Sequence, residues 1–172
     1  DASNLKRNLL LFTQLADLRI PAVLALNMMD VAEAEGVKID IEVLQRDLGV
    51  PVIPMNARKG IGIAALKILI SQQLAATEVS FFEVPARLRP MVDGIKERFS
   101  LNNDYLALHY AHQYKHLRFL SEDDKVWMAQ LLETQGFKST TEQANETIAR
   151  YVRINEVLLD VVRVDKAKEE EK

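Results

Sequence analysis

An α/β segment followed by an all-α helical bundle is the fold class predicted for this 172-residue chain, and three observations predict it. Two short apolar runs, Ala22-Val23-Leu24-Ala25-Leu26 and Val50-Pro51-Val52-Ile53-Pro54-Met55, alternate with helical periodicity in the first half. From about Phe81 no strand-like run recurs, and apolar residues return at helical spacing. Apolar residues make up 48% of the chain and charged residues 27%, a globular balance with enough length for one core or two small ones.

In chain order, Asn4 to Leu18 places Leu5, Leu9, Phe12 and Leu15 on a helical period, with Asp1, Ser3 or Asn4 available as N-cap. The run after Pro21 is continuous rather than alternating, which suits a strand covered on both faces. A short helix ending at Gly36 and a second from about Asp40 to Leu48, stopped by Gly49, lead to the second strand. The prolines of that strand remove amide donors and favour an edge position. Asn56 to Gly62 reads as a loop and Ile63 to about Leu74 as a helix. Pro85 and Pro90 punctuate the passage to four further helices: Met91 to Phe99, Asn103 to Leu117, one opened by Ser121 and one opened by Ser139. Ser139 with Glu142 makes a capping-box pattern, and Ile148, Tyr151, Ile154, Leu158 and Val161 form an apolar stripe. Trp127 with Val126, Leu131 and Leu132 reads as core. The expected division is residues 1–80 for the α/β part, 81–165 for the bundle, and 166–172 for a charged, frayed tail.

Charge and composition exclude several classes. The net charge of −3 gives no general attraction to nucleic acid or anionic lipid, so no direct DNA or RNA contact is expected. Cysteine is absent, which excludes disulfides and thiolate metal sites. Charges interrupt every apolar run well short of the roughly 20 residues that cross a bilayer, so a soluble segment is expected.

Ligands of parallel α/β sheets sit beyond the carboxyl ends of the strands, where "ALNMMD" brings Asn27 and Asp30. A carboxylate accepting two parallel N–H donors makes a directional, charge-assisted contact; guanine offers that pair at N1 and its amino group, and adenine does not. At the end of the second strand lies Asn56-Ala57-Arg58-Lys59-Gly60, where a small residue lets a backbone amide approach a guanine carbonyl. Together these contacts discriminate the base by about 1–3 kcal/mol. An N-x-x-D at a strand-to-helix junction also serves as a plain cap, and the motif alone fits either use.

Asn27-Met28-Met29-Asp30 resembles the N-[KM]-x-D motif of GTPases, and Asn56-Ala57-Arg58-Lys59-Gly60 resembles their S-A-x-[KR]-G loop. The surrounding "DASNLKRNLLLFTQLADLRIPAVLALNMMDVAEAEGVKID" is similar to the cytosolic GTPase domain of the ferrous-iron transport protein B family. The resemblance implies that residues 1–80 hold the last two strands of a P-loop GTPase sheet, and that the bundle is a guanine-nucleotide-dissociation-inhibitor-like domain. It also implies that "ARYVRINEVLLDVV" leads toward a transmembrane permease domain of the same parent chain, at the cytoplasmic face of a bacterial inner membrane. GTP or GDP would be the ligand, with Asn27, Met28, Asp30, Asn56, Ala57 and Arg58 around the base. Asp30 would read guanine, Ala57 would donate its amide, and Asn27 would bridge to a phosphate loop. Asn56 stands where Ser or Thr is usual, and Met28 where Lys is common.

No G-x-x-x-x-G-K-[ST] occurs, nor a D-x-x-G before Asn4, and "DASN" reads as the end of a strand entered from upstream. Phosphate and Mg²⁺ binding, and hence hydrolysis, are not expected from these residues alone. An upstream neighbour missing from the first strand would leave an open edge, and self-association through it is expected. His109, His112 and His116 fall within about 60° of one helix face, apart from Leu106, Tyr110, Tyr114 and Leu117; a stripe that points toward solvent or a neighbour and captures metal only adventitiously is expected. Arg118, Arg150 and Arg153 are scattered and form no phosphate clamp. Two other readings stand beside the first: a non-catalytic interaction module with a vestigial nucleotide site, and a different GTPase such as a ribosome-associated one, which the lack of a basic face opposes.

Overall fold

A computed structural model describes residues 1–164, so the expected tail at 166–172 lies outside the described residues. The chain forms two compact units, one from residues 1–81 with the segment from Arg150 onward, the other from Phe82–Ala149.

In the first unit Asp1 caps a one-turn 3₁₀ segment at Ala2–Asn4 by accepting from the Ser3 amide at 3.0 Å. Helix α1 (Leu5–Asp17) follows, with Asn4 at its N-cap position making no side-chain cap bond. Then come β1 (Leu24–Leu26), α2 (Met29–Ala34), β2 (Val37–Ile39), α3 (Ile41–Leu48), β3 (Val52–Pro54) and α4 (Ile63–Ile70). Asp40 caps α3 through the Val43 amide, 3.1 Å, and Gly49 ends it in the left-handed region at φ 65°. β1 and β3 pair in parallel with Leu24 opposite Val52 and Leu26 opposite Pro54. The fold class read from the sequence is thus the one observed.

Several local expectations are corrected. β1 is not covered on both faces: Leu26 is buried while Ala25 is exposed. No residue of α4 is buried, and Ile68 and Ile70 are exposed, so its uniformly apolar sequence does not report burial. Strands do not stop at Phe81: β4 (Val162–Val164) pairs antiparallel with β2, Ile39 opposite Val162. Three residues are too few to show a period of two, and β4 follows directly on a long helix that masks it.

That helix, α8 (Ser139–Val161), is shared between the units rather than confined to the bundle. Ile154, Val157 and Val161, spaced i, i+3 and i+7, enter the first unit's core with Leu9, Phe12, Leu26, Leu44 and Leu48. Ile148, expected in the same stripe, is exposed. At the start of this segment Arg150 is fully buried and pairs with Asp17 at 2.6 Å. Asp17 also accepts from the Phe81 amide at 2.8 Å and the Ser80 hydroxyl at 3.3 Å.

The second unit holds α5 (Arg89–Phe99), α6 (Asp104–Gln113), α7 (Glu122–Thr134) and the first turns of α8. Its centre is Met91, Val92, Ile95, Leu108 and Met128. Asn103 caps α6 through the Leu106 amide, 2.7 Å, and Ser121 caps α7 through the Asp124 amide, 3.1 Å. Trp127 and Val126 are not core: Val126 is exposed, and Trp127 sits half-buried, edge-on to Phe99 with the Arg98 guanidinium 4.8 Å from its ring centre. The capping box at Ser139 does not form, because the Glu142 carboxylate is forked onto Arg87 at 2.9 and 2.5 Å while the Ser139 hydroxyl meets His112 Nδ1 at 2.8 Å. No described helix is long and apolar enough to cross a membrane.

Candidate functional site

Because β1 and β3 run parallel in near register, their carboxyl ends emerge side by side. The Met55 amide extends the ladder by donating to the Leu26 carbonyl at 2.9 Å, which sets Asn27 beside the loop that begins at Asn56. There the Ala57 amide donates to Asn27 Oδ1 at 3.0 Å.

Met28 then takes φ 64°, left-handed and unusual for a residue with a side chain, at a cost of about 1–2 kcal/mol. The turn points the Met28 carbonyl at the Val31 and Ala32 amides, 3.1 and 3.2 Å, and starts α2 with Asp30 in its first turn. An acid there is favoured by the free amides of the turn.

The facing loop is closed by Asn56 and Ile61, which exchange backbone hydrogen bonds of 3.2 and 3.0 Å. Inside it Ala57–Lys59 form one 3₁₀ turn capped by Asn56 Oδ1, which accepts from the Lys59 amide at 3.1 Å. Gly62 at φ 81° is demanded twice over, since a Cβ there would lie 2.6 Å from the Pro54 carbonyl oxygen. Lys59 Nζ reaches Asp30 Oδ2 at 3.5 Å across the two loops. Partial desolvation pushes the Asp30 carboxyl up, but the Asn56 side-chain hydrogen bond and the charge of Lys59 outweigh it and leave the group below the usual aspartate range. A pocket of about 340 Å³ opens beside these groups, lined by Asp30, Asn56 and Lys59 with apolar Met29, Met55 and Ile61.

Four of the six residues expected at the site, Asn27, Asp30, Asn56 and Ala57, therefore converge at the strand ends. Met28 and Arg58 stand exposed at the edge of the loops.

Residues 1–70, which include both loops, match the family profile described as Ferrous iron transport protein B. This part of the chain is similar to that family. The Fe(2+) transporter FeoB of Salmonella typhimurium is 49% identical over 79 residues, 46% of this chain and 10% of that protein. That of Escherichia coli is 49% identical over 95 residues, 55% of this chain and 12% of the protein. The chain thus spans about a tenth of the length of these curated relatives. Among solved structures, the cytosolic domain of L. pneumophila FeoB superposes with a TM-score of 0.73 at 28% identity, covering 95% of this chain and 65% of that one. An S. thermophilus NFeoB mutant bound to GDP gives 0.71 at 26% identity, covering 94% and 66%. The FeoB likeness in fold therefore extends over both units.

The three histidines divide between the two expected settings, His109 and His112 against neighbouring side chains and His116 toward solvent. α6 ends at Gln113, so His116 lies in the following turn, exposed. The helix buries Tyr105, Leu108 and Ala111, and turns the other two histidines against protein: His109 stacks edge-on to Tyr105 at 4.7 Å, and His112 packs on Phe137 at 5.0 Å. Burial lowers the His112 pKa first; Glu146 opposes, His109 adds to the lowering, and Glu142 opposes, with the net shift downward. Among the described residues no group of three or more His, Cys, Asp or Glu is arranged to hold a metal ion.

Lys59 is the site residue that sequence reasoning missed. Its place in the loop motif was visible, but its reach to Asp30 depends on the pairing of β1 with β3.

Proposed function

We propose that this chain supplies guanine recognition to the cytosolic GTPase region of a bacterial ferrous iron transporter, with GTP or GDP as ligand. The observation that carries the reading is the convergence of Asp30, Asn56, Ala57 and Asn27 at the paired carboxyl ends of two parallel strands. Asp30 accepts the N1 and amino donors of the base, and the Ala57 amide, now on Asn27, donates to its carbonyl oxygen. Met28 and Arg58 flank the ring. The sequence has no G-x-x-x-x-G-K-[ST], and among the described residues no group of three or more His, Cys, Asp or Glu is arranged for a metal ion, so no step of hydrolysis is assigned to them. In the parent protein residues 1–80 are the end of the GTPase domain. The bundle is its regulatory, dissociation-inhibitor-like domain, coupled to a membrane permease from the cytoplasmic side. The outer edge of β1, unpaired among the described residues, is a route to self-association, which sedimentation at rising concentration reads directly.

Titration with GDP and XDP tests the base assignment. Asp30→Asn should weaken GDP and favour XDP, because the amide offers a donor where the xanthine edge has a carbonyl. A second reading, a vestigial site in an interaction module, draws on the same bonds: Ala57 and Asp30 are already satisfied by Asn27 and Lys59. Equal indifference of wild type and variant to both nucleotides would favour it.

A further inference from the structure

We infer that Lys59 is a positioning residue for the base-reading carboxylate, its ammonium group tying Asp30 to the opposite loop so that both carboxylate oxygens face the guanine edge. The inference rests on the guanine reading above.

The loops after β1 and β3 are laced at two points. One is the Ala57 amide on Asn27 Oδ1, 3.0 Å; the other is Lys59 Nζ on Asp30 Oδ2, 3.5 Å. Lys59 is aimed by its own loop, since Asn56 Oδ1 holds its backbone amide at 3.1 Å. A carboxylate has about four lone-pair sites, and a guanine edge uses two. Lys59 therefore takes a remaining site without competing for the base.

Lys59, Asn56 and Asp30 line the 340 Å³ pocket together, so the tie lies at its wall. Both partners are substantially exposed, 62% and 46% by side chain, so the tie is weak and salt-sensitive. Its consequence is orientation: a carboxylate free to swing presents one oxygen well but not two, and only the second distinguishes guanine from hypoxanthine.

The test uses the ¹⁵N-labelled 172-residue chain, with the Ala57 amide resonance as reporter and GDP or IDP as titrant, at low and high KCl. Lys59→Met should weaken GDP about three- to fivefold at low salt and IDP less, eroding the preference for GDP, while Lys59→Arg keeps wild-type preference. High salt should bring wild type toward Lys59→Met. Unchanged preference in Lys59→Met overturns the inference, as does tighter GDP binding, which would make Lys59 a competitor. An equal loss in Lys59→Arg also overturns it, since loop damage rather than charge would then be responsible. Asp30→Asn separates the two levels: if it retains the preference for GDP, or if wild type binds no GDP, the guanine reading itself fails whatever Lys59 does.

Discussion

Two aspartates of the first unit, thirteen residues apart in sequence, occupy opposite settings. Asp17 ends α1, where the helix dipole disfavours a negative charge, yet it is only 5% exposed. It is retained there by Arg150, the Phe81 amide and the Ser80 hydroxyl. Asp30 lies in the first turn of α2, where the dipole favours it, and its side chain is 46% exposed with Lys59 Nζ 3.5 Å away. Burial turns the first into a structural junction, since a desolvated charge must keep its partners. Exposure leaves the second with acceptor capacity to offer a ligand.

The largest effect expected from breaking this contrast is at the buried pair. Arg150→Met removes the cation paired with the buried Asp17 and should cost about 3–5 kcal/mol in urea denaturation, with the double change Asp17→Leu, Arg150→Met recovering much of it. Loss of less than a kilocalorie would mean that water reaches Asp17 and the contrast is false. At the exposed aspartate, Asp30→Asn should shift base preference by about 1–3 kcal/mol in nucleotide titrations, while stability in the same urea assay stays within about 0.5 kcal/mol.

An intermediate case sharpens the comparison. The hydrogen bonds from half-exposed Arg87 hold the buried carboxylate of Glu142 below the ordinary glutamate range, with burial opposing. A depressed carboxylate contributes stability that is present in full above its unfolded pKa and is lost as pH falls through its folded value. Thermal melts between pH 7 and pH 3 should therefore show Arg87→Met about 1 kcal/mol less stable at neutral pH, the gap closing in acid. Leu159→Gln should do least: the residue is 81% exposed, and a melt shifted by more than about 0.5 kcal/mol would show that it is covered in solution.

How much of this could be read beforehand follows from range. The caps Asp40, Asn103 and Ser121 act within three residues and were legible or nearly so. The two loops of the site were legible because each is a compact motif, and FeoB-type sequence surrounds both. Arg150, by contrast, looked like one of several scattered arginines, because its partner lies 133 residues away. The histidines were left between two settings for a related reason: spacing placed them on one stripe, but whether that stripe meets solvent or a neighbour is decided by Phe137, Glu142 and Glu146 on other segments.

By itself, then, the sequence determined where helices begin, the order of α/β and helical segments, and the two polar motifs that follow the apolar runs, since all of these arise from contacts a few residues apart. Tertiary structure alone decided that α8 ends in the first unit, that β4 closes on β2, that Asp17 is buried with Arg150, and that Lys59 meets Asp30. Pairing and desolvation at such separations depend on which distant surfaces the fold brings together, and no local pattern encodes that.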